Sequence, residues 1–159
     1  MDKLHLRRLA IALLIWYAVQ FAAGMTVNLF VKLPTTQPGI TGGEYFDRSG
    51  VSLLWALSGA GGPSLLIHTW IAFILVIGAI ALFVQSLRSG GQGWRWASGI
   101  AALFTLGALF NGMSFMDYNE EFSSAIMADC WLTAVTALVT PLVRTRTTVA
   151  AESEIATDG

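Results

Sequence analysis

The sequence contains a single cysteine, Cys130, and few charged residues. One thiol excludes an internal disulfide and any mechanism that cycles a pair of cysteines within the chain. Only 12% of the 159 residues are charged, and the basic ones are scattered, so the chain lacks the basic patch of a nucleic-acid-binding protein. No phosphate-binding glycine loop, paired catalytic carboxylates or HExxH sequence occurs, and we expect a protein that is not an enzyme.

Long apolar runs are the dominant feature that is present. Hydrophobic residues make up 55% of the chain, and they are grouped in runs that we predict to be helices at about 9–31, 64–87, 94–116 and 122–143. Each run can cross a bilayer, which requires about 20 helical residues. Since lipid offers no partner to exposed backbone, we predict an all-α fold, a four-helix transmembrane bundle with up-down-up-down topology. This membrane domain covers residues 1–146, and the polar residues 147–159 are predicted to form a disordered cytoplasmic tail.

The basic residues indicate how such a bundle is oriented. Seven of the nine fall on one side if the helices alternate in direction: Lys3, Arg7, Arg8, Arg88, Arg95, Arg144 and Arg146. The positive-inside rule then predicts cytoplasmic N- and C-termini in a bacterial plasma membrane. The long segment between helices 1 and 2 lies outside the cell in this arrangement. Its Pro/Gly-rich first half is predicted to be irregular, and the apolar Val51–Ser58 is predicted to form an interfacial or re-entrant turn over the bundle.

Each predicted helix carries one strongly polar residue near its external end. These residues are Asn28, His68, Asn111 and Asp129. With a rise of about 1.5 Å per residue, all four lie roughly 4–11 Å below the external boundary. Polar side chains at this depth are costly unless they face the bundle interior or a wet cavity, so we predict that they converge in an outward-facing pocket. We further hypothesise a contact between His68 and Asp129.

Several interpretations of this polar layer remain open. Its side chains could serve only as packing contacts, because interhelical hydrogen bonds contribute about 0.6–2 kcal/mol each without any ligand. The pocket could instead bind a small ligand or support an accessory subunit, and the lipid bilayer, a homo-oligomer or a larger membrane complex would be the partners. A different class, a proton-coupled transporter or channel component, would use Asp129 and His68 to load a proton.

Soft metal ligands are concentrated in the same half of the helices. Together with His68, the set comprises Met25, Met113, Met127 and Cys130. Such side chains suit Cu(I), or a His/Met pair on haem, so a redox accessory protein is a third interpretation. Methionine is also an ordinary filler of apolar gaps, and no Met-x-x-Met or Cys-x-x-Cys occurs. We therefore expect no cofactor, with haem or copper as the alternative.

Four short motifs carry a family resemblance. They are GMTVNLFVKLP at 24–34 with a following Pro-Gly, SLLIHTW at 64–70, NGMSF at 111–115 and AIMADCW at 125–131. With these motifs in this order, most of residues 20–135 resembles a family of small four-helix integral membrane proteins of actinobacterial type. The resemblance implies a four-helix membrane fold, but it implies no activity and assigns no role to any residue.

Overall fold

The computed structural model describes residues 3–34, 43–118 and 121–157, which contain five α-helices and no strand. The helices are α1 (Lys3–Phe30), α2 (Tyr45–Leu57), α3 (Pro63–Ser89), α4 (Gln92–Tyr118) and α5 (Glu121–Thr157). Four of them contain a stretch that is long and apolar enough to cross a membrane: Leu4–Phe30, Pro63–Ser89, Gln92–Met116 and Phe122–Arg144. The all-α class and the four apolar spans predicted from the sequence are confirmed.

The helix ends follow from local sequence. α3 begins at Pro63, whose fixed φ suits the first helical turn and whose missing N–H would have no helical partner there. Only Gly90 and Gly91 separate α3 from α4, so these two helices form a tight hairpin. A Cβ at Gly90 would lie 2.6 Å from the carbonyl oxygen of Ser86, and glycine is therefore required at that position.

The first and last helices are longer than the sequence predicts. α1 begins at Lys3, ahead of the apolar run, because charged Arg7 and Arg8 are good helix formers. α5 extends to Thr157 and so covers residues 147–157, the described part of the segment predicted to be a disordered tail. That segment contains three alanines and two glutamates, and the high helix propensity of both residue types favours a helix despite its polarity.

The four long helices pack in a closed order, α1 with α3, α3 with α4, α4 with α5, and α5 back with α1. Small residues allow close approach at these contacts. A Cβ at Gly78 in α3 would lie only 2.6 Å from Leu13 in α1, and the hydroxyls of Ser86 in α3 and Ser98 in α4 are 2.6 Å apart. Among the neighbouring pairs of these four helices, as far as the structure describes them, α4 and α5 are the most closely packed and α1 and α5 the least.

Two clusters of buried side chains fill the bundle. The larger comprises Leu6, Ala10, Leu13, Tyr17, Ile71, Leu75, Leu82, Trp94, Ala101, Ala134 and Leu138. The smaller comprises Val27, Ala56, Leu65 and Met116. The outer faces are also apolar, since Ile15, Leu29, Ile77 and Leu103 are between 61% and 66% exposed. An apolar surface on this scale suits contact with lipid rather than water.

The short helix α2 lies where the sequence predicts an interfacial or re-entrant turn. It begins at Tyr45, ahead of the predicted segment Val51–Ser58, and it packs against α3 and α4. Its buried residues are Ser49, Ser52 and Ala56, which recur at helical spacing on one face. Residues 31–34 form no helix, and most of the loop predicted to be irregular, at 35–42, lies outside the described residues.

Candidate functional site: a cavity within the bundle

The bundle contains a cavity of about 190 Å³. Its lining includes Tyr17 and Leu75 from the larger cluster and Val27, Leu65 and Met116 from the smaller, so the cavity lies where the two clusters meet. An apolar cavity of about 150 Å³ engineered into a soluble protein binds benzene. The volume therefore suits a small ring compound or a short segment of a lipophilic chain.

Hydrogen bonds between three helices form one wall of the cavity. The hydroxyls of Tyr17 in α1 and Thr105 in α4 are hydrogen-bonded to each other, and Thr105 also bonds to the carbonyl oxygen of Ala101 at 2.6 Å. The indole Nε1 of Trp131 in α5 donates to the carbonyl oxygen of Tyr17 at 2.9 Å. Because these polar groups bond to one another, few of them are free to bond to a ligand.

A second polar wall is different, because it contains unpaired atoms. Gln20 Nε2 in α1 lies 3.3 Å from His68 Nε2 in α3, and the amide donates to the ring when that nitrogen is unprotonated. In the described part of the chain, the buried atoms Gln20 Oε1 and His68 Nδ1 have no hydrogen-bond partner. A buried polar atom without a partner costs about 1–3 kcal/mol, so this wall favours a ligand that can satisfy it.

Gly24 provides the space that the His68 ring occupies. A Cβ at residue 24 would lie 3.0 Å from His68 Cε1, which is closer than side chains normally approach. Gly24 is one turn after Gln20 on the same face of α1, so glycine here lets the imidazole reach the amide. The Gly-Met sequence that precedes Asn28 therefore has a steric role beside the site.

Methionines supply much of the remaining lining. Every methionine after the initiator lies there: Met25, Met113, Met116 and Met127. The sulfur of Met127 packs close to the backbone of α4, where a Cβ at Gly112 would lie 3.3 Å from Sδ. Flexible, polarizable thioethers can adapt to ligands of different shape, which makes this part of the lining adaptable.

The lining reaches the protein surface between α1 and α5. Phe21, Met25 and Asn28 in α1 and Ala128 in α5 all line the cavity, yet their side chains are exposed. The Phe21 ring of α1 packs against the Trp131 ring of α5 with ring centroids 4.8 Å apart. Because α1 and α5 are also the least closely packed neighbours, the cavity opens sideways on the bundle surface.

The helix α2 covers another side of the cavity. Leu53 from α2 is part of the lining. The hydroxyl of Tyr45, at the start of α2, lies 2.6 Å from Ser114 Oγ in α4 and donates to the carbonyl oxygen of Phe110 at 3.3 Å. These contacts attach α2 to the end of α4, so access through this side requires α2 to move.

The structure divides the four polar residues that the sequence places in one pocket. His68 and Asn28 line the cavity, His68 inside it and Asn28 at its exposed edge. Asn111 is outside the lining, and its amide donates to the carbonyl oxygen of Gly107 in its own helix at 2.9 Å. Asp129 is also outside the lining and is exposed on α5. The expectation of a common four-residue pocket is therefore corrected to a cavity that holds two of them.

The hypothesised contact between His68 and Asp129 is absent from the described structure. The His68 ring is in hydrogen-bond contact with Gln20, whereas the Asp129 side chain is on the exposed face of α5. The physical reason is rotation about the helix axis. Residues at equal depth face each other only if both helices turn them inward, and on α5 the neighbouring positions Ala128 and Trp131 are the ones turned toward the cavity.

The soft-ligand set is divided in a similar way. His68, Met25, Met113 and Met127 all line the cavity, and so does Met116. Cys130 is not part of the lining, since its sulfur packs against the backbone of α4 at Gly107. No group of three or more His, Cys, Asp or Glu residues suited to a metal ion occurs within the described ranges. Any metal bound here would thus depend on the thioethers and one imidazole.

Sequence reasoning missed three polar residues of the lining, namely Tyr17, Gln20 and Thr105. A signal for two of them was present in α1. Tyr17, Gln20, Gly24 and Val27 recur at intervals of three and four residues, which places them on one helix face. Tyrosine and threonine carry a single hydroxyl each, so their polarity alone does not distinguish them from packing residues.

Comparisons with known proteins assign nothing to this cavity. No family model, no curated protein and no solved structure matches the chain. A function for the protein must therefore be argued from the chemistry of the cavity and the character of the four apolar spans.

Proposed function

We propose that this chain is a non-catalytic integral membrane protein that binds a small lipophilic molecule bearing one polar group. The observation that carries the proposal is the cavity of about 190 Å³ whose polar wall has two buried unpaired atoms, Gln20 Oε1 and His68 Nδ1. The rest of the lining is largely apolar and adaptable, so a ring or chain fits there without loss of hydrogen bonds. The protein acts in this view as a carrier, a sensor or an accessory subunit of a larger complex.

A hydroxyl is the simplest ligand group that suits the polar wall. When Gln20 Nε2 donates to His68 Nε2, the ring carries its proton on Nδ1, which is then a donor. Gln20 Oε1 is an acceptor. One ligand hydroxyl can accept a hydrogen bond from His68 Nδ1 and donate one to Gln20 Oε1. Both unpaired atoms would then have a partner. A molecule without a hydroxyl leaves the two atoms unpaired, so the free-energy cost of burying them remains.

The ligand enters from the bilayer in this proposal. The four spans cross the membrane in up-down-up-down order with both termini in the cytoplasm of a bacterial cell, as the positions of Arg8, Arg88, Arg95 and Arg144 favour. The cavity then lies in the outer half, and the gap between α1 and α5 faces lipid. Helix α2 lies on the external side as a cover. A lipophilic molecule dissolved in the membrane would reach the cavity through that gap without crossing water.

Filling the cavity tests the proposal. Ala72 in α3 lines it, so Ala72→Phe places a ring in the space that a ligand would occupy. Ala81 in the same helix is exposed, and Ala81→Phe is the matched control. The probes are 1-naphthol and naphthalene, which differ by one hydroxyl. Their binding is measured by equilibrium dialysis against lipid nanodiscs that carry the protein, with empty nanodiscs as the partitioning blank.

Wild type and Ala81→Phe should bind 1-naphthol about two- to tenfold more tightly than naphthalene, the effect of a hydrogen bond. Ala72→Phe should abolish the binding of both above the blank. Two results would contradict the proposal. One is equal retention of 1-naphthol by empty nanodiscs and by nanodiscs that carry the protein, and the other is unchanged binding by Ala72→Phe.

A second candidate, Cu(I) binding, is favoured by a separate observation. Four methionines and His68 line the same cavity, and thioether and imidazole ligands suit Cu(I). The test is a Cu(I) titration under reducing conditions against a chelator of known affinity. Met113→Leu combined with Met127→Leu should weaken binding, whereas Cys130→Ser should not, because Cys130 lies outside the lining. A wild-type protein that takes no Cu(I) from the chelator would exclude this candidate.

The proton-transport alternative has less support. It requires Asp129 and His68 along one path, but the Asp129 side chain is exposed on α5 and outside the cavity lining. We therefore do not carry it forward. The resemblance to actinobacterial four-helix membrane proteins and the possibility of a homo-oligomer remain predictions.

A further inference from the structure

Asp129 is the only acidic residue within the four apolar spans. Its side chain is exposed on α5, and in the described ranges its carboxylate has no hydrogen bond or ion pair. The buried residues Cys130, Ala134 and Leu138 define the inner face of the helix. At about 100° per residue, Asp129 lies on the side turned away from that face. The carboxylate is directed outward, away from the bundle.

Three threonines continue the same outer face of α5. Thr133, Thr136 and Thr140 follow Asp129 at intervals of four, three and four residues, which aligns them along one side of the helix. Thr133 and Thr140 donate to carbonyl oxygens of their own helix, at 2.8 Å and 2.9 Å, and retain acceptor capacity. We call Asp129, Thr133, Thr136 and Thr140 the polar stripe. Hydroxyl-bearing residues of modest size are typical of contacts between transmembrane helices.

The position of Asp129 makes the stripe costly if lipid covers it. In the bilayer arrangement proposed above, Asp129 is seven residues into the span Phe122–Arg144, or roughly 10 Å below its external end. Ionisable side chains at such depth normally face a partner or a wet cavity, and Asp129 faces neither. A partner must therefore come from outside the described chain.

We infer that the polar stripe docks a transmembrane helix of another protein that carries a lysine or arginine at the depth of Asp129. Charge complementarity favours this partner. The basic residues in the four spans of this chain, Arg7, Arg8, Arg88, Arg95 and Arg144, lie near the opposite ends of their helices. Lys32 follows the external end of α1, roughly 13 Å from the level of Asp129. A second copy would bring a second Asp129 to the same depth, and two like charges would oppose that pairing.

A designed helix tests this inference directly. The probes are polyleucine peptides that carry either one lysine or one leucine at the depth of Asp129. Their association with the full-length protein is measured by energy transfer in liposomes, between a fluorophore on the peptide and one fused to the C terminus of the protein. Wild type should bind the lysine peptide about tenfold more tightly than the all-leucine peptide, since a paired charge at this depth is strongly favoured over an isolated one.

Two variants distinguish the contribution of the Asp129 charge from that of the surrounding helix surface. Asp129→Asn should reduce binding of the lysine peptide to the level of the leucine peptide. Thr136→Trp keeps the carboxylate but obstructs the stripe, and it should also weaken binding. Leu103→Trp, on the exposed face of α4, is the matched control and should have no effect.

Thermal unfolding and self-association complete the test. Because Asp129 has no partner in the described chain, Asp129→Asn should leave the unfolding temperature of the isolated protein unchanged or raise it. Equal affinity for both peptides would overturn the inference. So would self-association that depends on Asp129, which would assign the stripe to a second copy. None of these results depends on the cavity, so the ligand proposal stands or fails separately.

Discussion

The hydroxyl of Tyr17 in α1 is hydrogen-bonded to the hydroxyl of Thr105 in α4, across the diagonal of the bundle. Among the described residues, these two helices are not in close backbone contact, because α3 and α5 lie between them. The indole of Trp131 in α5 reaches the backbone of Tyr17 from a third helix. This connection forms one wall of the cavity, and it links helices that are not neighbours along the chain.

The Tyr17–Thr105 bond should contribute measurably to stability. We expect Tyr17→Phe and Thr105→Val each to lower the free energy of unfolding by about 1 kcal/mol, with a coupling energy of about 0.6–1.7 kcal/mol in the double variant. The measurement is denaturant titration in mixed micelles, followed by circular dichroism. Thr26→Val is the control, since Thr26 is exposed and bonds only to its own helix, at Ala22. A coupling energy near zero would show that the bond does not stabilise the bundle.

The polar wall should be a source of instability in the empty protein. Gln20→Leu or His68→Leu alone removes the shared hydrogen bond and leaves the remaining partner buried, so we expect each to lower the free energy of unfolding by about 1–3 kcal/mol. The double variant removes every unpaired atom of the pair and should equal or exceed wild type. The same denaturant titration measures the stability of the single and double variants. In the dialysis experiment, the double variant should no longer bind 1-naphthol more tightly than naphthalene. A double variant that is less stable than either single one contradicts this reasoning.

The turn after α2 should depend on a glycine that lacks space for any side chain. A Cβ at Gly61 would lie 2.5 Å from Leu65 Cδ2 and 2.7 Å from the Trp55 ring. We expect Gly61→Ala to destabilise the packing of α2 by about 1–3 kcal/mol and to speed hydrogen exchange in Tyr45–Leu57. Gly91→Ala is the matched control, because open space surrounds Gly91. Equal exchange of α2 in the two variants would mean that the turn adapts at no cost.

The orientation of the spans can be measured with single cysteines. In a Cys130→Ala background, Glu44→Cys reports on the segment before α2 and Gly91→Cys on the link between α3 and α4. The positions of the basic residues lead us to expect that a membrane-impermeant thiol reagent labels Glu44→Cys on intact cells. Gly91→Cys should react only after permeabilisation. The reverse pattern would invert the topology and place the cavity in the cytoplasmic half.

Much of the fold could be predicted because it depends on local properties. The number of spans follows from the length and apolarity of four runs, and each predicted run lies inside an observed helix apart from Val31, one residue past the end of α1. Helix boundaries were less predictable, since polar helix formers extend α1 and α5 past the apolar runs. The helix α2 was only partly anticipated, because Tyr45 and Ser49 have no strong apolar signal and are held by contacts with other helices.

The depth of the candidate site residues could be predicted from the sequence, but the direction in which each side chain points could not. Counting residues from a helix end places Asn28, His68, Asn111 and Asp129 at one level. It does not tell which of them turn inward. Asn111 satisfies its amide within its own helix, and Asp129 is turned outward by the packing of its neighbours. Gln20 is one of the two residues that contribute an unpaired atom to the polar wall. It lies deeper than the predicted level of the four polar residues.

The sequence by itself determined that the chain forms four apolar helices, because hydropathy and length act along each segment independently of the others. Only the tertiary structure decided which side chains meet. Rotation of each helix about its axis depends on close packing against two neighbours at once, and glycines such as Gly24 and Gly112 allow His68 and Met127 to approach. That packing left a cavity beside Gln20 and His68 and turned Asp129 to the outside.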